Sequence, residues 1–122
     1  MLLRVQNKEG RGPFQPGITT IWSMDKDNYG PPIQKDFSEP VFQEINKAHR
    51  QGLHIGVAVD GIEQLGMWFN QEELHTLHLL GFEVCEVINC KELARTDWQV
   101  LITSRHHLSA LKPISNTKDV NA

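Results

Sequence analysis

The chain has 122 residues, 39% of them hydrophobic and 22% charged, and its 12 Lys and Arg against 15 Asp and Glu give a net charge of −3. That length fits one domain with a core of its own, and that composition excludes a disordered or collagen-like chain. The charge balance advertises neither a nucleic-acid binder nor a polybasic membrane anchor, so direct nucleic-acid contact is not expected.

Taken from the start, Leu2–Gln6 reads as a short strand stopped by the turn-rich NKEGRGP. Arg4 alternates onto the face opposite Leu3 and Val5. A guanidinium there can clamp a phosphate or ribose, or serve as an edge-strand charge. The stretch from Gly10 to Pro32 is rich in glycine and proline and holds one strand candidate, Ile18–Ser23. The MDKDNYGPPIQ that follows it reads as a long loop, a type of segment that is usually functional or mobile. Residues 1–37 therefore form an irregular strand and loop region.

A first helix is expected over Glu39–Gln51, with Ser38 as N-cap, Pro40 in the first turn and Gly52 as its stop. Leu53–Val59 is apolar at nearly every position and reads as a central, covered strand. Asp60 and Glu63 have capping-box spacing ahead of Ile62, Leu65 and Trp68. Asn70 and Glu73 repeat that spacing ahead of a second helix, which Gly81 closes. Phe82–Ile88 alternates as a partly covered strand, NCKELARTDW reads as a connection, and Gln99–Thr103 as the last strand. This order predicts an α+β fold with its helices in the middle, regular over 38–114, and a frayed polar tail at 115–122, all in a single domain 1–122.

No apolar run is long enough to cross a bilayer, and the opening MLLRVQNKEG lacks the apolar stretch of a secretion signal, so a cytoplasmic chain is expected. Cys85 and Cys90 have no second pair to complete a zinc site, and a disulfide between them would fold a strand back on itself. Two reduced thiols are expected. His75 and His78, at i and i+3, lack a third ligand and read as boundary residues, so no metal is expected. Arg105, His106 and His107 form the one concentrated positive cluster, suited to a phosphate or to a solvated corner. Trp68 belongs to a helix's core face, whereas Trp22 and Trp98 sit where they can pack or line a pocket for a flat ring. There is no Ser-His-Asp order, Walker loop or GxGxxG run.

Three pieces, LLRVQNKEGRGPF, HIGVAVDGIEQLGMWFNQEELHTLHLLGFEVCEV and DWQVLI, together resemble small phage and prophage proteins. The layout of those proteins is similar to the compact ADP-ribosyltransferase fold. The resemblance implies a mostly antiparallel split β sheet or sandwich with two to three helices and NAD in a central cleft. Under it, Arg4 grips the NAD ribose or phosphate, with Trp22 and Tyr29 as aromatic neighbours. The catalytic acid of that fold lies at the start of the last strand, where the candidates are Asp97 and Gln99. A carboxylate there stabilises the positive charge that develops as nicotinamide leaves; Gln99 can only hydrogen-bond. The strand IGVAV lacks a Ser-x-Ser, and the last strand lacks a Glu. Two functions follow from the resemblance. One is a small NAD-dependent ADP-ribosyltransferase that modifies a host macromolecule in the host cytoplasm. The alternative is a non-catalytic binding protein that inhibits a host defence complex through its surface. A domain that pairs with itself is the blander third.

Overall fold

The computed structural model of the protein describes residues 1–24 and 30–114. Among the described residues five strands are formed: β1 (Leu2–Asn7), β2 (His54–Asp60), β3 (Phe82–Glu86), β4 (Lys91–Arg95) and β5 (Val100–Ser104). They pair antiparallel in the order β3-β1-β2-β5-β4. The helices among the described residues are α1 (Thr19–Trp22), α2 (Ile33–Asp36), α3 (Glu39–Arg50), α4 (Gly61–Trp68) and α5 (Gln71–Leu79). A 3-10 turn, Leu108–Ala110, follows β5. The fold is α+β, with helices rather than a second sheet covering the strands.

Successive side chains of a strand point to opposite faces, so β1 sends Leu3 and Val5 to one side and Arg4 and Gln6 to the other. The register carries that division across the sheet, with Leu3 opposite Val59 and Val5 opposite Val84. On this first face they join Trp22 of α1, Leu65 of α4, Leu77 of α5, Phe69 and Phe82 in one core. On the second face Ala58, Cys85, Val100 and Ile102 pack with Leu108 and Leu111 from the segment after β5. All five residues of β5 are buried, as a strand covered on both faces requires.

Both sheet edges are closed to further strands. Pro113 bridges Cys85 on the outer side of β3, and the Ile114 N–H donates to Val84 O at 2.8 Å. At the other edge, β4 carries a register shift between Glu92 and Ala94 and exposes Lys91, Glu92 and Arg95, two devices that discourage edge pairing. Arg95 is held there by Glu92 and by Asp60 Oδ2 at 2.7 Å. The Arg95 hydrogen bond in turn keeps the Glu92 carboxyl below the usual carboxylate range.

Asn70 and Glu73 form the expected capping box: Asn70 Oδ1 accepts from Glu73 N–H at 2.7 Å and Glu73 Oε1 from Asn70 N–H at 3.1 Å. Glu73 Oε2 also accepts from Met24 N–H. The Asp60–Glu63 spacing behaves differently, because the Asp60 carboxylate is taken by Arg95 and Gln64 Oε1 accepts from Asp60 N–H instead.

Two elements depart from the sequence reading. Ile18–Ser23, expected as a strand, contains the single turn α1. No strand edge is offered to it, so its backbone bonds locally through Ile18 and Thr19 N–H to Gln15 O while Trp22 turns into the core. The connection NCKELARTDW contains β4, whose outward charges conceal its alternation. The expected frayed tail at 115–122 and residues 25–29 of the expected loop lie outside the described residues. No helix among the described residues is long and apolar enough to cross a membrane.

A Cβ on Gly56 would lie 2.7 Å from Leu108 Cδ1 and 3.3 Å from Arg4 Cζ, whereas one on helical Gly66 would meet nothing within 4 Å. Urea unfolding should show Gly56→Ala less stable by about 1–3 kcal/mol and Gly66→Ala more stable by about 0.5–1 kcal/mol.

Candidate functional site

Although β1 and β2 are neighbours, they pair at only two positions, Leu2 with Asp60 and Leu3 with Val59. Beyond Leu3, β1 stays with β3 as far as Asn7, while β2 pairs with β5 from His54 to Ala58. The seam between the two strands therefore opens toward the end of the sheet where β1 leaves and β2 enters. The chain folds back into this opening. Asn7 makes the turn: its Oδ1 accepts from Glu9 and Arg11 N–H, and its own N–H donates to Arg11 O at 2.9 Å. Gly10, at φ +83°, lies against the 3-10 turn, where a Cβ would come within 2.7 Å of Ser109 N. Four residues later Phe14 is on the other face, its ring 5.2 Å from Trp22 and 5.6 Å from Trp68.

Arg4 spans the opening. Its Nη1 donates to Val57 O of β2 at 2.8 Å, its Nη2 to Gly10 O at 2.9 Å and its Nε to Gln6 Oε1 at 2.9 Å. Gln6 passes the brace on, with Nε2 donating to Leu108 O at 2.8 Å. The guanidinium thus satisfies a β2 carbonyl that ordinary strand pairing would have satisfied with an N–H. Burial pulls the Arg4 pKa below its ordinary value, against the opposing effect of Cys85 and Cys90. The group still carries its charge. Opposite it in β3, burial and then Glu83 push the Cys85 thiol up to about 11, with Arg4 acting the other way.

The opening and its surroundings make a cleft of about 1090 Å³. Its apolar wall includes Phe14, Leu65, Trp68 and Phe69, and its polar lining includes Arg4, Arg11, His49, His54, His107 and Gln99. The rings of His54 and His107 lie 5.0 Å apart, edge to face. His107 Nδ1 accepts from Ser109 N–H at 3.1 Å, so in the neutral ring Nε2 carries the proton. Among the described lining residues the one carboxylate is the exposed Glu9. Three of the five Arg4 N–H donors are used by the bonds above. A large cleft with an aromatic wall and cationic lining is suited to a flat, anionic molecule.

Of the residues named from sequence, Arg4 and Gln99 border this cleft. Gln99 is buried, and its Nε2 donates to Pro31 O at 3.0 Å and Asp36 Oδ2 at 2.8 Å, tying α2 to the start of β5. Asp97 is exposed on the β4–β5 turn, where its carbonyl accepts from Gln64 Nε2, and it is not part of the lining. Trp22 lies in the core, 1% exposed, with Nε1 donating to Pro13 O. Tyr29 lies outside the described residues. Of the residue clusters, Arg105 and His106 are exposed beside the lining residue His107. His78 pairs with Glu83 at 2.7 Å, and both cysteines are free thiols. Among the described residues no group of three His, Cys, Asp or Glu side chains is placed to hold a metal. His49, His54, Phe14 and Trp68 were not singled out from sequence as site residues. Only the splaying of the seam brings them together, and no local spacing signals it.

Residues 1–110 match the family model described as Bacteriophage T4 Y00F protein, and the chain belongs to that family of phage proteins. No curated protein and no solved structure matches it significantly.

Arg4→Met leaves the carbonyls of Val57 and Gly10 without their donor, and should cost at least about 2 kcal/mol of unfolding free energy. The raised Cys85 pKa has a second consequence. Between pH 9 and 11 the folded thiol holds a proton that the unfolded one releases, so stability should fall as pH rises through that window. In Cys85→Ala the fall should be smaller, as read by denaturant titrations at pH 8 to 11.

Proposed function

We propose that this member of the phage family works by binding, with the split-seam cleft as the receptor for a flat anionic compound of the nucleotide kind. One observation carries the reading: the cleft joins an aromatic wall to Arg4, Arg11 and three imidazoles, with Glu9 as the one carboxylate among its described lining residues. Stacking and charge-assisted hydrogen bonds would be made by different parts of the ligand, ring and phosphate respectively. The volume suffices for a nucleotide. Membership in a phage family supports an action on a component of the infected cell, including the inhibition of a host complex once the ligand is in place.

A second reading, ADP-ribosyl transfer from NAD, is favoured by the fact that Arg4 and Gln99 border the same cleft. NAD is itself flat and anionic, so it is a ligand under both readings. Transfer requires in addition a carboxylate beside the ribose. Asp97 would have to reach the cleft from outside its lining, and Gln99 spends its amide N–H groups on Pro31 and Asp36.

The two readings separate in one series of thermal unfolding and product assays. ADP at about a hundred times its dissociation constant should stabilise the protein by about 2.7 kcal/mol, and Trp68→Ala should weaken this. No shift with millimolar ADP, AMP or NAD would contradict the binding reading. Nicotinamide release from NAD that disappears in Asp97→Ala would establish transfer instead.

A further inference from the structure

We propose that the end of the molecule surrounding the cleft mouth docks the phosphate backbone of a single-stranded nucleic acid. The net charge of −3 argues against such a partner only if charge is evenly spread, and the fold separates it by sign. The antiparallel order brings the end of β1, the start of β2 and the end of β5 to the same end of the sheet. Lys8 and Arg11 stand on the turn after β1, Lys47 and Arg50 in the last turn of α3 that leads into β2, and Arg105 at the exit of β5. All five are exposed, and none forms an ion pair among the described residues. His49, His106 and His107 lie among them. Among the described residues the acids at this end are Glu9 and Glu83, the second of which is held by His78. At the opposite end stand Asp60, Glu63, Glu86 and Asp97, with Lys112 beside Glu86 and Arg95 taken up by Asp60 and Glu92.

The helix dipole accounts for cations in the last turn of α3. It does not account for Lys8 and Arg11 on one segment and Arg105 on another, which form no ion pair among the described residues. Like charges gathered at one end repel one another, and a run of phosphates relieves that repulsion while releasing its own counterions. An acidic protein segment would use the cations but leave the aromatic wall of the adjoining cleft idle. A single strand can use both, its phosphates on the rim and a base face against Trp68. Bases in a duplex are stacked inside and cannot reach it. The choice of single over double strand thus rests on the cleft reading, whereas the docking of phosphates rests on the cations alone.

The test is fluorescence anisotropy with an end-labelled oligothymidylate of about 20 nucleotides at low salt, followed by a salt titration. Binding should weaken with a log–log slope of about −0.7 for each phosphate contacted. The triple variant Lys8→Glu, Arg50→Glu, Arg105→Glu should bind at least about tenfold more weakly, with the fold retained and a melting temperature lowered only by what Arg50→Glu costs the end of α3. Lys112→Glu, beside Glu86 at the opposite end, should bind as the parent does. No binding at about 100 μM protein, a range that covers ordinary non-specific affinity, would overturn the proposal, as would an unaffected triple variant. Displacement by polyglutamate as readily as by unlabelled oligonucleotide would point to an acidic protein and overturn it too. Tighter binding of a duplex of equal length would overturn the single-strand choice. If the oligonucleotide binds and the triple variant weakens it, while Trp68→Ala is neutral and ADP gives no thermal shift, the cleft reading fails and phosphate docking stands.

Discussion

A half-buried guanidinium on an interior strand has to find acceptors there, and the acceptors Arg4 finds belong to segments that would otherwise lie apart. Val57 O on β2, Gly10 O on the returning turn and Gln6 beside it on β1 converge on one planar group. Through Gln6 the same brace reaches the 3-10 turn at Leu108. Gly56 leaves the room that this arrangement needs, since a Cβ there would press on both Leu108 and Arg4. The seam between β1 and β2 can open because Arg4 replaces strand pairing with a side-chain bridge. The proposed receptor cleft depends on that opening.

The opening also sets the distribution of chemistry. Helices α1, α4 and α5 contribute to the core on one face, and the segment after β5 packs on the other. Both edges are closed, one by residues 113–114 and one by a bulge and charges. The partner site proposed above lies at the end where the seam gapes. There the fold places cations from the turn after β1, the end of α3 and the exit of β5 around a mouth with an aromatic wall, while Glu63, Glu86 and Asp97 stand at the far end. Whole-chain charge, which discouraged a polyanionic partner, averages over these two ends.

Much of this architecture was legible because its signals are local. The apolar run at Leu53–Val59, the Asn70–Glu73 box and the alternation at Phe82–Glu86 each declare an element within a few residues. Arg4 stood out as a charge inside an apolar strand, and its register gave its face, though not its partners. Those partners are 6 and 53 residues away along the chain and follow from an interrupted pairing that no periodicity encodes. β4 escaped notice because an edge strand carries charges on its outer positions, and α1 because a β-branched run took a helical turn where no strand edge was at hand. The site suffered most. His49, His54, Phe14 and Trp68 are ordinary residues in their own segments, and acquire a common purpose only where the seam splays.

The split seam braced by Arg4 is the proposed binding site. Its most direct test is a nuclear magnetic resonance titration with ADP, following the Arg4 Nε–H, the Trp68 indole N–H and the imidazoles of His54 and His107. The account predicts saturable shifts at these groups together, with the Trp98 indole and the amides of β4 little changed. Shifts confined to other surfaces, or none at millimolar ADP, would contradict it.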